Sequence, residues 1–190
     1  MWKRLFGQRD AQQDSQPRAQ AAGPTNAPHP PARGQVPIII VRPMSQAEYE
    51  LLRSWLDEDY AREVTKAMGV SIEEGRQAAR KQLAELLPDG LKSNGHHFWK
   101  IVAEDNAAVG DLWVLVEPAK ERAFIYFIGI DEAYRGKGYS RAAMQTLETT
   151  VKPMGVSRID LNVFGDNTTA INLYQSLGYQ VLGMGMRKPI

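Results

Sequence analysis

Arg135, Gly136, Lys137, Gly138, Tyr139 and Ser140 interleave cations with glycines, after the apolar run Phe124 to Ile130 and before the helical spacing of Ala143, Met144, Leu147 and Val151. A loop of this kind opening a helix is an anion site. The first helical turn leaves backbone N–H groups without partners and carries the positive end of the peptide dipole. Gly136 and Gly138 have no Cβ to keep the backbone away from a diphosphate, and Arg135, Lys137 and Arg141 add charge. The chain lacks the Gly-x-x-x-x-Gly-Lys-Ser/Thr spacing of a nucleoside triphosphatase loop.

Other chemistries are excluded by composition. The 190 residues include no cysteine, so disulfides, thiolate metal sites and a cysteine nucleophile are ruled out. His29, His96 and His97 are the only imidazoles. Neighbours on a strand face opposite ways, so His96 and His97 would not share one ion; they read as a strand-edge pair, and no metal is assigned. The net charge of +1 argues against nucleic-acid binding. Residues 1–35 hold Lys3, Arg4, Arg9, Arg18 and Arg33 against Asp10 and Asp14, a local excess of +3 that leaves −2 on the rest of a +1 chain.

The elements that must position the loop are legible in outline. Residues 7–35, rich in Gln, Ala, Pro, Arg and Gly, read as a disordered tail, and residues 36–190 as one domain. Met1 to Phe6 mixes apolar and basic residues but is too short for a secretory signal or a stable membrane anchor. Val36–Val41 reads as a first strand, and Ser45-x-x-Glu48 and Ser71-x-x-Glu74 as capping boxes of two helices, closed by Gly69 and by Pro88-Asp89-Gly90. Strands are expected at Phe98–Ala103, Ala107–Val116 and Ala123–Ile130. After the helix that follows the loop, a fifth strand spans Ile159 to Val163, a helix Thr168 to Leu177 and a last strand Tyr179 to Met186. This order implies an α+β, mixed α/β domain around one sheet. Trp99, Trp113 and Phe124 read as core aromatics, and Asp57, Glu58, Asp59 and Tyr60 as a solvated helix face or an amine pocket.

The glycine loop after Ile128-Gly129-Ile130 resembles the Arg/Gln-x-x-Gly-x-Gly/Ala coenzyme A loop of the GNAT superfamily of N-acetyltransferases. A second block, Leu161 to Asn167, Ala170, Leu173-Tyr174 and Leu177-Gly178-Tyr179, resembles the family's Asn-x-x-Ala-x-x-Leu-Tyr-x-x-x-Gly-Phe/Tyr segment in order and spacing. Leu86 to Gly90, His96 to Trp99 and Val109 to Trp113 resemble a bacterial subgroup whose substrate is unsettled.

The resemblance implies a central, mostly antiparallel mixed sheet flanked by helices and splayed between strands 4 and 5. It also implies acetyl-coenzyme A as co-substrate and direct transfer to a primary amine, on a small molecule or a peptide. Ile128 and Ile130 would pair with the pantetheine arm, residues 135 to 140 would cradle the pyrophosphate, Asn167 would contact the cofactor and Tyr174 would protonate the departing thiolate. Ser140 stands where Gly or Ala is usual. The base that deprotonates the amine stays open among Tyr126, Asp111, Asp160 and a relayed water, since Asn162 is an amide where some relatives carry a glutamate. The rival reading is a non-catalytic acyl-coenzyme A-binding module. A cytoplasmic location and a homodimer are further expectations.

Overall fold

The structure, a computed structural model, describes residues 36–186 and residue 188; the tail expected over residues 1–35 lies outside them. Strand β1 (Ile39–Pro43) is followed by helices α1 (Gln46–Met68) and α2 (Ile72–Leu86), then by the meander β2 (His96–Ala103), β3 (Ala108–Glu117) and β4 (Arg122–Ile130). Helix α3 (Tyr139–Val151), strand β5 (Arg158–Leu161) and helix α4 (Thr168–Ser176) complete it. The sheet order is β1-β2-β3-β4-β5, antiparallel except for the parallel β4/β5 pair.

Both capping boxes form: Ser45 and Ser71 accept from the amides of Glu48 and Glu74, whose carboxylates accept from the cap amides in return. Gly69 closes α1 in the left-handed region, at φ 69°. The sheet has two buried faces. Ile101, Leu112, Val114 and Ile125 pack with Ala143, Met144 and Leu147 of α3 and Ala170 and Tyr174 of α4. Phe98, Trp113, Phe124 and Tyr126 pack with Leu52, Leu56 and Tyr60 of α1 and Leu83 of α2. Trp99, Trp113 and Phe124 are thus core residues, as expected.

Two departures from the expected elements bear on the site. Strand β5 ends at Leu161 rather than Val163, and it pairs only with Arg122 to Ile125. Residues 126–130 of β4 have no β5 partner, which agrees with the splay that the resemblance implied. The strand expected at Tyr179 to Met186 is not formed: residues 179–186 lie outside any strand and Val181, Leu182, Met184 and Met186 are exposed. An isolated extended segment gains nothing without a neighbour to accept its backbone hydrogen bonds, and Gly183 and Gly185 raise the cost of ordering it.

Candidate active site

β4 delivers the chain to the mouth of α3. Gly138 is the cap residue of α3, left-handed at φ 85°, and no side chain caps the amides of the first turn. Gly136 is left-handed as well, at φ 70°, with open space where a Cβ would stand. An uncapped helix start of this kind favours an anion. The surrounding cations hold the loop from within: Arg135 donates from Nε to the Ile130 carbonyl at 3.0 Å, and Lys137 donates from Nζ to the Ala133 carbonyl at 2.8 Å. Arg141 ties α3 to α4 by donating to the Ser176 hydroxyl at 2.6 Å. Tyr139 is buried, edge-on to Tyr134 at 5.8 Å, so it offers the site its backbone and not its phenol. Ser140 is half-buried at the second position of the helix.

Beside this mouth runs the unpaired part of β4. Trp113 pairs with Phe127 and Val114 with Ile125, so Tyr126 is an extra residue on β4, a β-bulge at the point where β5 departs. Of the two expected rail residues, Ile128 is half-buried, whereas Ile130 is buried and its carbonyl is held by Arg135. Across the wedge, Asn167 is buried and caps α4, its Oδ1 accepting from the Ala170 amide at 3.0 Å. Tyr174, seven residues on, is buried in the same core as Ile130, Tyr139 and Ala142, and its ring lies 5.7 Å from that of Tyr179. Ile130, Tyr139 and Tyr174 therefore belong to one core on the α3/α4 side of the sheet.

The opposite face sorts the candidate bases. Asp111 is buried and bound to Lys100 Nζ at 2.6 Å, so its carboxylate is committed to an ion pair. Tyr126 is buried and stacked on Trp113 at 4.6 Å; burial pushes its phenol above the ordinary value, the wrong direction for a base. His96, which the sequence left as a strand-edge residue, is held otherwise. Trp113 Nε1 donates to its Nδ1 at 2.9 Å, and burial followed by the neighbouring His97 lowers its pKa to about 4. An indole N–H can only donate, so Nδ1 is the bare nitrogen and the ring proton sits on Nε2. His96 has no lone pair left for an ammonium.

Asp160 differs from these. It stands opposite Phe124, one residue before the last β4/β5 pair, with 27 % of its side chain exposed. Its Oδ2 lies 3.7 Å from Arg122 Nη1 and 4.0 Å from Arg158 Nε, both loose contacts, while Arg122 has its close partner in Glu117. Lys120 and Arg122 hold the Glu117 carboxyl down at about 2. Glu117 and Arg122 face each other at the two ends of the β3–β4 turn, a placement that is the signal for this pair in the sequence. Two residues past Asp160, Asn162 has its Nδ2 buried with no hydrogen-bond partner among the described residues.

The acidic run of α1 is engaged in ion pairs. Asp57 pairs with Arg53 at 3.0 Å, Glu58 with Arg76 at 3.1 Å and Asp59 with Arg62 at 3.2 Å, and the Tyr60 hydroxyl donates to Gln82. These residues knit α1 to itself and to α2.

A wedge between β4 and β5 with an uncapped, glycine-capped helix start at its head is the frame on which the two sequence blocks lie. Residues 49–179 match the Acetyltransferase (GNAT) family. The chain belongs to the GNAT acetyltransferase family. Among curated proteins it is similar to the uncharacterized N-acetyltransferases YycN and YdgE of Bacillus subtilis. YycN is 36 % identical over 80 % of this chain and 99 % of its own length, and YdgE is 32 % identical over 77 % and 95 %. The solved structure of YycN superposes with a TM-score of 0.74, covering 80 % of this chain and 99 % of that one. The GNAT fold also extends to the spermidine N-acetyltransferase of Vibrio cholerae in complex with CoA and spermine, at a TM-score of 0.52, 18 % identity, and coverage of 74 % of this chain and 79 % of that one. With these relatives, this GNAT chain is an N-acetyltransferase. No helix among its described residues is long and apolar enough to cross a membrane.

Proposed function

We propose that this GNAT enzyme moves the acetyl group of acetyl-coenzyme A directly onto a primary amine. The observation that carries the reading is the uncapped start of α3 at left-handed Gly138, set at the end of a β4 segment that β5 leaves unpaired. A diphosphate on the amides of residues 136–140 and an extended pantetheine arm beside Ile128 would bring a thioester to the bulge at Tyr126. Arg135, Lys137, Tyr139 and Ser140 shape and charge the cradle, Ile130 ends the rail, and Asn167 holds the start of α4 beside it.

The amine arrives from the α1/α2 face as an ammonium with an ordinary pKa of about 10.4, and it must lose a proton to attack. Asp160 is the carboxylate on that face with loose partners and solvent access, so it takes the proton directly or through water. The amine nitrogen then bonds to the thioester carbonyl carbon and sheds its second proton, the carbon–sulfur bond breaks, and the Tyr174 hydroxyl supplies a proton to the leaving thiolate, the phenol being restored by the proton that the nitrogen released.

The test is turnover of labelled acetyl-coenzyme A with a panel of amines and peptides, read by mass shift of the acceptor. For the acceptor found, Tyr174→Phe should lower kcat by roughly 100-fold or more with cofactor Kd nearly unchanged, the usual size of a lost general acid. Asp160→Asn should lower kcat/KM and flatten its acid limb. If the protein binds acetyl-coenzyme A tightly and no amine consumes it, the binding-module reading replaces this one.

A further inference from the structure

Two half-buried aromatic rings stand on the α1/α2 face beside the bulge of β4. Trp55 of α1 and Phe127 of β4 lie with their centroids 5.1 Å apart and their planes at 55°, and each is only partly covered. The other aromatics of this face are spent on the core: Phe98, Trp113, Phe124 and Tyr126 are buried against one another. Phe127 owes its place to Gly129. A Cβ at Gly129 would stand 2.5 Å from Phe127 Cζ and 2.9 Å from its Cε1, so the ring lies along its own strand in the space that a side chain at 129 would fill. That space belongs to the part of β4 that β5 leaves unpaired.

The charges of the neighbouring helix are matched within the protein. Glu48 is held by Arg42 at 2.7 Å, and Asp57, Glu58 and Asp59 are held by Arg53, Arg76 and Arg62. A polyamine is recognised by carboxylates spaced along its length, each meeting one ammonium. These carboxylates of α1 already have cations of their own, whereas Asp160 has only loose ones. One loosely held carboxylate suits one ammonium, and two partly covered rings suit an apolar body.

We infer that the acceptor is a monoamine with an aromatic or branched apolar group close to its nitrogen, and that Trp55 and Phe127 select it by packing on that group. The inference rests on the acetyl transfer proposed above and names its substrate class. Asp160 stands opposite Phe124, three residues down β4 from Phe127, roughly 10 Å along a strand. The bulge at Tyr126, where the thioester is proposed to lie, falls between them. A nitrogen at the bulge therefore has the base on one side and the rings on the other. A free arylalkylamine and a peptide whose first residue is aromatic present the same chemistry.

The test is a matched acceptor panel on the full chain: 2-phenylethylamine, 3-methylbutylamine, ethylamine, spermidine, and tripeptide amides beginning with phenylalanine or glycine. The apolar amines should exceed ethylamine and spermidine in kcat/KM by roughly 10- to 100-fold, the usual reach of one apolar group against a partly covered wall. The phenylalanine peptide exceeding 2-phenylethylamine would make the source a chain terminus, and the reverse a small molecule. Trp55→Leu should raise the KM for 2-phenylethylamine about 10-fold and leave the KM values for ethylamine and acetyl-coenzyme A in place. Gly129→Ala, whose new Cβ takes the position of the Phe127 ring, should reduce the same preference without removing a core aromatic. Spermidine or ethylamine matching 2-phenylethylamine in the wild type would overturn the inference and leave the reaction standing. If no amine consumes acetyl-coenzyme A, the reaction itself fails. Calorimetric binding of 2-phenylethylamine in the presence of coenzyme A then decides the site: binding that Trp55→Leu weakens upholds the two rings as its seat, and no binding overturns them.

Discussion

Replacing Gly138 by alanine probes the cradle at its most constrained point. Gly138 caps α3 at φ 85° and ψ −2°, a conformation that an L-residue reaches at a cost of about 1–2 kcal/mol. The new Cβ would also stand 3.1 Å from Pro37 Cδ, where a rigid ring can give by only a few tenths of an ångström; mild overpacking of this kind costs about 1 kcal/mol. Together these come to about 2–3 kcal/mol, which for a domain of this size lowers Tm by roughly 5–10 °C. Gly136→Ala meets nothing within 4 Å, so only the backbone part remains, about 1–2 kcal/mol. Adding Pro37→Ala to Gly138→Ala should restore the contact part and leave the backbone part, a coupling that a double-mutant cycle reads directly. The functional consequence is on the donor. If one charge-assisted amide contact to a phosphate is misaligned, about 1.5–3 kcal/mol is lost, and the KM for acetyl-coenzyme A rises roughly 10- to 100-fold with the acceptor KM unmoved. Thermal melts and donor titrations on the wild type, the two glycine variants, Pro37→Ala and the Gly138→Ala/Pro37→Ala pair decide it. Gly138→Ala with wild-type Tm and wild-type donor KM would show that the left-handed cap is not what the donor site depends on.

Two further outcomes concern the scaffold. Gly75→Ala places a Cβ 2.1 Å from Thr65 Oγ1 and 2.8 Å from the Ala61 carbonyl oxygen, so α1 and α2 must spread; net of the better helix propensity of alanine, a loss of about 1–3 kcal/mol is expected in a chemical denaturation curve. His96 titrates near its ordinary 6.5 when unfolded and at about 4 when folded, so the unfolded chain binds the extra proton in between. Its contribution is fully present above pH 6.5 and is lost as pH falls toward 4, and a plot of Tm against pH should lose part of its acid slope in His96→Gln.

What the sequence made legible follows from how local each determinant is. The capping boxes at Ser45/Glu48 and Ser71/Glu74, the left-handed stop at Gly69 and the glycine loop are written within a few residues, and each forms where it was expected. The proposed donor side is legible for the same reason, being built from backbone amides and glycines in one stretch of chain. The proposed acceptor side depends on pairings that no local pattern announces. Lys100 neutralises Asp111 across β2 and β3, Trp113 occupies the lone pair of His96, and Arg122 divides its charge between Glu117 and Asp160. The four base candidates could be separated only once these partners were in place. The strand expected at Tyr179 to Met186 failed for a related reason: its residues have strand character, but a strand exists only against a neighbour.

The bulge at Tyr126 and the departure of β5 fall at the same place, and one can be derived from the other. A bulged residue increases the local twist of its strand, so residues 127–130 of β4 turn away from the line that the short β5 follows from Arg158 to Leu161. Because of the extra residue, Tyr126 and Phe127 both face α1 and α2, Tyr126 stacking on Trp113 at 4.6 Å and Phe127 lying 5.1 Å from Trp55. Two consecutive aromatics on one face cannot be accommodated by a regular strand, which would send one of them into the α3/α4 core. Packing beneath α1 thereby holds open the wedge between β4 and β5 on the other side of the sheet. The α1 side of the sheet and the wedge on its other side are in this sense one construction, with Trp55 of α1 resting on Phe127 of the strand that the proposed donor would line.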